Sequence, residues 1–198
     1  MSDEVSKKSI LEKFQMNTSD AIVWTLIYTL VGIVLFILVS QIPAPYIMVD
    51  LFTFGILPAL AIIPVMGAIR GPIAGFLTGY LGIVLFDFLI YGAVVTMTLP
   101  AIGYGLLGFI VGLATYDLSN GRSLIKLTIL SVIGFVFTLL IIIAAGLVVE
   151  SYATLIALGF VMLPLLTSGL PTVLLLTPVY ARVYHLLMYS VVPRIRPE

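Results

Sequence analysis

Apolar residues run through this chain in six long blocks, and the polar positions gather in the short joints between them. Neither the strict alternation of a half-buried strand nor the one-sided stripe of a surface helix dominates. The blocks cover about residues 21–41, 48–68, 71–90, 96–116, 124–149 and 169–190. Roughly 20 apolar residues suffice for a helix to cross the ~30 Å hydrocarbon core of a bilayer. The pattern predicts an all-α integral membrane protein with six transmembrane helices. Ser19 or Asp20 is placed to cap the first helix, which ends before Pro43 and Pro45. Pro58 and Pro64 predict kinks in the second, and Pro171 and Pro178 interrupt the sixth. Gly67–Pro72 forms a tight turn, and Asp117, Ser119, Asn120 and Gly121 a polar loop. Residues 153–167 are apolar as well. A seventh crossing would put the C-terminal basic residues on the wrong side, so this stretch is read as an outer hairpin or re-entrant piece packed against protein.

Charge gives the blocks a direction. Lys7, Lys8 and Lys13 precede the first block, and Arg70 separates the second from the third. Arg122 and Lys126 separate the fourth from the fifth, and Arg182, Arg194 and Arg196 lie at or beyond the end of the sixth. The alternate joints, around 41–50, 91–97 and 147–154, carry no basic residue. Lys and Arg are retained in cytoplasmic loops, so both termini are expected inside. Even odds for each charge would give such one-sidedness only about once in a few hundred trials. The organisation that follows is a cytoplasmic N-terminal segment over 1–20, one six-helix domain over 21–192, and a cytoplasmic tail over 193–198. Within the first segment, Ile10, Leu11 and Phe14 among lysines fit either a surface-lying amphipathic piece or a disordered tail.

Composition narrows the chemistry. The chain is 62% hydrophobic and 9% charged, with mean hydropathy +1.27, so its 198 residues leave no room for a soluble domain. Its formal net charge is zero, which gives no reason to expect a nucleic-acid partner. Without cysteine it forms no disulfide and no thiolate metal site, and one histidine, His185, excludes a multi-histidine zinc site and paired haem ligands. Neither a phosphate-binding Gly-x-x-x-x-Gly-Lys-Ser/Thr loop nor a Gly-x-Ser-x-Gly elbow is present. No enzyme template fits, and no cofactor is implied. The lack of a visible internal repeat weighs against a transporter built from inverted halves.

Acidic and aromatic residues on the outer side are the candidates for function. Asp87 lies about four turns into the third block, among Phe86, Phe88 and Tyr91. An intramembrane acid is costly and therefore a functional suspect. Asp50 and Glu150 fall on the same side, where each can instead cap a helix or face water. Tyr46, Tyr91 and Tyr152 mark that boundary, as belt residues or as a stacking surface for a flat ligand. Tyr104 is mid-span and needs a hydroxyl partner, and Trp24 fits an inner anchor. Gly71, Gly75 and Gly79 recur at a four-residue spacing in the third block, with Gly108 and Gly112 in the fourth. Such small residues serve close packing within the chain or a face for another subunit.

In these features the chain resembles the substrate-binding S components of energy-coupling factor (ECF) vitamin transporters. The likeness extends over most of the chain and is sharpest in Leu57–Gly82, LPALAIIPVMGAIRGPIAGFLTGYLG. There a proline-bearing second helix runs through a small-residue turn into Gly71-Pro72-x-x-Gly75, and Asp87 stands where such proteins commonly carry an acid. The glycine-rich fourth helix, the Gly169–Pro171 opening of the sixth and its basic end also match. Thr25 and Thr29 occupy the spacing of the Ala-x-x-x-Ala face that the family often uses in its first helix.

The resemblance implies a subunit in a prokaryotic cell membrane that captures a vitamin-like small molecule from outside. It would then dock in the membrane lipid on a transmembrane coupling subunit driven by two ATPases. The implied pocket draws on outer loops and the outer ends of helices four to six, with Asp87, Asp50, Tyr91, Tyr46, Glu150 and Tyr152 as candidates. Thr25, Thr29, Gly71, Gly75 and Gly79 are the implied docking residues. A stand-alone permease or channel and an intramembrane enzyme are the alternatives.

Overall fold

A computed structural model describes residues 14, 16, 18–43, 46–49, 52–93, 98–149, 151 and 153–191. Helix α1 spans Ser19–Ser40 and is followed by a hairpin of β1 (Tyr46–Val49) and β2 (Phe52–Gly55). A 3-10 turn over Pro58–Ala61 leads into α2 (Ile62–Arg70), then α3 (Pro72–Tyr91), α4 (Thr98–Gly112) and α5 (Gly121–Val148). A π-helical stretch, Ile156–Met162, runs directly into α6 (Leu163–Val191). Four helices are long and apolar enough to cross a membrane: Ser19–Ser40, Pro72–Tyr91, Gly121–Val148 and Ile156–Tyr189. They mark the chain as a multi-pass membrane protein. Pro58–Arg70 and Leu99–Gly112 are shorter apolar helices, each rising only about 20 Å.

Three local expectations change. The cap of α1 is Thr18, whose hydroxyl accepts the Ala21 N–H at 3.1 Å, one residue before the predicted position. The second block does not begin as a helix near residue 48. Tyr46 pairs with Gly55, Ile47 with Phe54, Met48 with Thr53 and Val49 with Phe52, and helical structure starts only at Pro58. Pro43 and Pro45 separate this segment from α1, and its β-branched and aromatic residues favour a strand. Residues 153–167 do not form a separate hairpin either. From 154 the chain is helical without a break through Pro164, Pro171 and Pro178 to Val191. The wide π turn accounts for this. With Leu163 N–H bonded back to Leu158 O, the backbone makes room for Pro164, which has no N–H and crowds the preceding turn. The Ser168 hydroxyl donates to Pro164 O at 2.6 Å, and Thr167 Oγ1 to Leu163 O at 2.9 Å.

Small residues bring the helices together. Gly75 and Gly108 face each other across the α3–α4 seam, and a Cβ on either would overlap the other's backbone. Gly79 meets the Tyr104 carbonyl, Gly67 the Gly108 carbonyl and Gly112 the start of α3 in the same way. Gly71 links α2 to α3 at φ 94, a backbone conformation that side chains disfavour. One apolar cluster, with Phe36, Leu60, Leu107, Phe135 and Val173, fills one half of the bundle. Val65, Val111, Leu127 and Ala181 fill the other. The two ends of the second block are fastened differently. Leu57 N–H donates to Thr172 Oγ1 at 2.7 Å, tying the 3-10 turn to α6. Thr172→Val should lower stability by about 1–2 kcal/mol by leaving that amide unpaired, as read by thermal unfolding in detergent.

At the far end of α2, Arg70 Nη2 donates to Ala21 O at 2.9 Å and Nε to Thr25 Oγ1 at 3.3 Å. Arg182 Nη1 donates to Ser119 O at 2.8 Å and to Leu118 O at 3.2 Å. Lys126 Nζ donates to Thr115 O at 3.3 Å. The described basic residues thus gather at one end of the bundle, where α1 begins, α2 ends and α4 joins α5. Lys7, Lys8, Lys13, Arg194 and Arg196 lie outside the described residues.

Candidate functional site

At the end opposite the basic residues the helices leave a cavity of about 230 Å³. Phe36, Val39, Ser40 and Ile42 of the α1 end form one wall, and Leu57–Leu60 another. Ile83 and Phe86 of α3 and Tyr104 of α4 complete it. Its aromatic wall is ordered: Phe36 meets Phe86 edge-on at 6.4 Å between ring centres, and Phe86 meets Tyr91 edge-on at 6.4 Å. A void of about 150 Å³ lined by apolar side chains takes up benzene, so this cavity has room for a larger ring system. Ser40 spends its hydroxyl proton on Phe36 O at 2.7 Å, which leaves the Tyr104 phenol as the main polar feature of the wall.

Asp87 lies one residue beyond Phe86 and is only 4% exposed. Its charge acts on Tyr104, while the carboxylate itself is not among the groups that line the cavity. The helix turns that carry Ile83, Phe86 and Asp87 follow directly from the glycine seam. Close approach of α3 and α4 at Gly75–Gly108 and at Gly79 brings Tyr104 beside the outer turns of α3.

The predicted site residues separate. Asp87 is buried beside the cavity, and Tyr91 is largely exposed with its ring on Phe86. Tyr46 opens β1 opposite Gly55. Asp50, Glu150 and Tyr152 lie outside the described residues. The cavity is built on α1, the 3-10 turn, α3 and α4. Phe36, Leu57, Ile83 and Phe86 carry no sequence signal that separates them from other apolar residues of their blocks.

The residues expected to dock a partner are turned inward. Thr25 and Thr29 are buried, their hydroxyls donating to Ala21 O and Thr25 O at 2.8 Å each. Gly71, Gly75 and Gly79 are buried in the packing of α3 against its neighbours. The exposed face of α1 is instead Val23, Trp24, Leu26, Ile27, Leu30 and Val34.

A second cavity, about 580 Å³, opens at the basic end. Thr115, Tyr116, Asp117, Asn120, Arg122, Ser123 and Lys126 line it. The Asp117 carboxyl is held below its ordinary range, chiefly by the Ser119 hydroxyl at 2.6 Å and then by the Ser119 N–H at 3.0 Å. No group of three or more His, Cys, Asp or Glu residues that could hold a metal occurs among the described residues. No protein-family model, curated protein or solved structure matches the chain.

Proposed function

We propose that the chain is the solute-capturing subunit of an ECF-type importer in a prokaryotic cell membrane, crossing it six times with both termini inside. The observation that carries this reading is the aromatic-walled cavity at the end away from the basic residues, backed by Asp87 and Tyr104. Its lining suits a compact, largely apolar or flat heterocyclic solute of the vitamin class, and the buried acid suits a donor or cationic group on it. Retention of basic residues in the cytoplasm turns the cavity outward. Uptake then requires a transmembrane coupling subunit and two ATPases, because the chain itself has no nucleotide-binding loop. Contact with the coupling subunit falls on the exposed apolar face of α1, the glycines and threonines being occupied within the fold.

Mass spectrometry of small molecules that co-purify with the protein tests this directly. A stoichiometric heterocyclic compound, lost on substituting a cavity residue such as Phe86→Ala, is the expected result. Solute uptake by the purified chain alone in liposomes, without ATPases, would instead establish a stand-alone permease.

A further inference from the structure

We propose that the cleft at the basic end, between the α4–α5 connection and the first turns of α5, holds the phosphodiester headgroup of an anionic phospholipid. Arg122 and Lys126 are one helical turn apart and both line the cleft. On the same face of α5 Ile125 stands between them and Ile129 and Ile133 below, all exposed. At 100° per residue the five positions fall within one stripe, cations towards the end of the bundle and isoleucines towards its middle. On the other side of the helix, Leu127, Ser131 and Gly134 are buried. A phosphate above and acyl chains below is the chemistry that such a stripe complements, and basic pockets beside membrane helices are where anionic headgroups bind.

The cations are available to an anion. Lys126 gives one contact to Thr115 O, and its ammonium lies 5.5 Å from the centre of the Tyr116 ring, which points it towards the cleft and leaves further N–H donors. Asp117 is the carboxylate lining the cleft, and it is engaged by Ser119. Arg182, by contrast, is spent on the Leu118 and Ser119 carbonyls and holds the loop in place. The cleft is shallow and open, so a headgroup can reach the cations from the membrane surface without a channel. The site stands apart from the proposed solute cavity and does not depend on it.

The test is native mass spectrometry of the full chain in neutral detergent, with phosphatidylglycerol, phosphatidylcholine of matched acyl chains, and inorganic phosphate as probes. The wild type is expected to retain phosphatidylglycerol in preference to phosphatidylcholine. Arg122→Gln/Lys126→Gln should lose at least tenfold in affinity for phosphatidylglycerol, on the basis of about fivefold per cation, with phosphatidylcholine unaffected. The charge-keeping pair Arg122→Lys/Lys126→Arg should leave retention intact. Undiminished retention in the Gln pair, or an equal loss in the charge-keeping pair, overturns the site. Displacement of the lipid by millimolar inorganic phosphate would show a soluble-anion site and overturn the lipid assignment. Should the Gln pair fail to fold, salt titration of the wild type decides: retention must fall steeply with ionic strength.

Discussion

Gly108→Ala is expected to destabilise the protein by about 3 kcal/mol, the upper end of the usual cost of overpacking. Added methyl groups are commonly accommodated by flexible side-chain tips. Here the atoms in the way are the Gly75 carbonyl group and its Cα, the latter 2.7 Å from the new carbon. Backbone cannot turn aside, so α3 and α4 must separate, and every glycine contact along the seam loosens with them. The loss exceeds the gain of up to about 1 kcal/mol that alanine brings as a helix former. Gly75→Ala should behave alike, since it meets the same backbone from the other side. Gly121→Ala and Gly159→Ala, with nothing within 4 Å, should be neutral or stabilising by up to about 1 kcal/mol. Thermal or detergent-titrated unfolding of the four variants separates the cases. A Gly108→Ala protein as stable as wild type would mean that the seam is wider than described.

Asp87→Asn is expected to lower solute affinity about ten- to a hundredfold while leaving the fold intact. The substitution keeps the shape and removes the charge. Where a donor on the solute reaches past Tyr104 to the carboxylate, a charge-assisted hydrogen bond contributes about 1.5–3 kcal/mol, which corresponds to that range. Burial strengthens the argument, because at 4% exposure little water replaces the lost interaction. The measurement is equilibrium titration of purified protein with the co-purifying compound. Equal affinities for wild type and variant would remove Asp87 from solute recognition. Tyr104→Phe should show a smaller loss of about 1 kcal/mol if the phenol meets the solute as the cavity wall implies.

What the residue order discloses here depends on which physical signal decides each feature. Translocation cost acts on each charge separately, so the shared end of Arg70, Arg122, Lys126 and Arg182 is readable from position alone. The place of Asp87 near the outer end of its helix follows from counting turns, whereas its burial among neighbours is visible only in the fold. The hairpin over 46–55 escapes because apolar runs of that length serve strand and helix equally, and only pairing partners decide between them. The unbroken helix from 154 escapes because charge placement argues only against a seventh crossing, and one long helix running into the sixth block meets that constraint as well as a hairpin does, a π turn absorbing Pro164 on the way. The glycine spacing announces close contact but not with what. Its partner is the matching stripe on α4, two joints away in sequence order. The cavity is legible only in part: Tyr104 and Asp87 stand out as polar groups in lipid, but a void among ordinary apolar residues is a property of shape.

The continuous final helix has a mechanical consequence. Its 34-residue apolar run, Ile156–Tyr189, rises about 51 Å. Even inclined at 40°, the steep end of what bilayers usually impose, it reaches about 39 Å along the membrane normal, well beyond the ~30 Å oily layer. The surplus of about 9 Å must lie outside the oily layer at one end of the helix or be shared between both. Thicker bilayers let this helix stand upright and thinner ones lean it over, so lipid chain length sets its inclination.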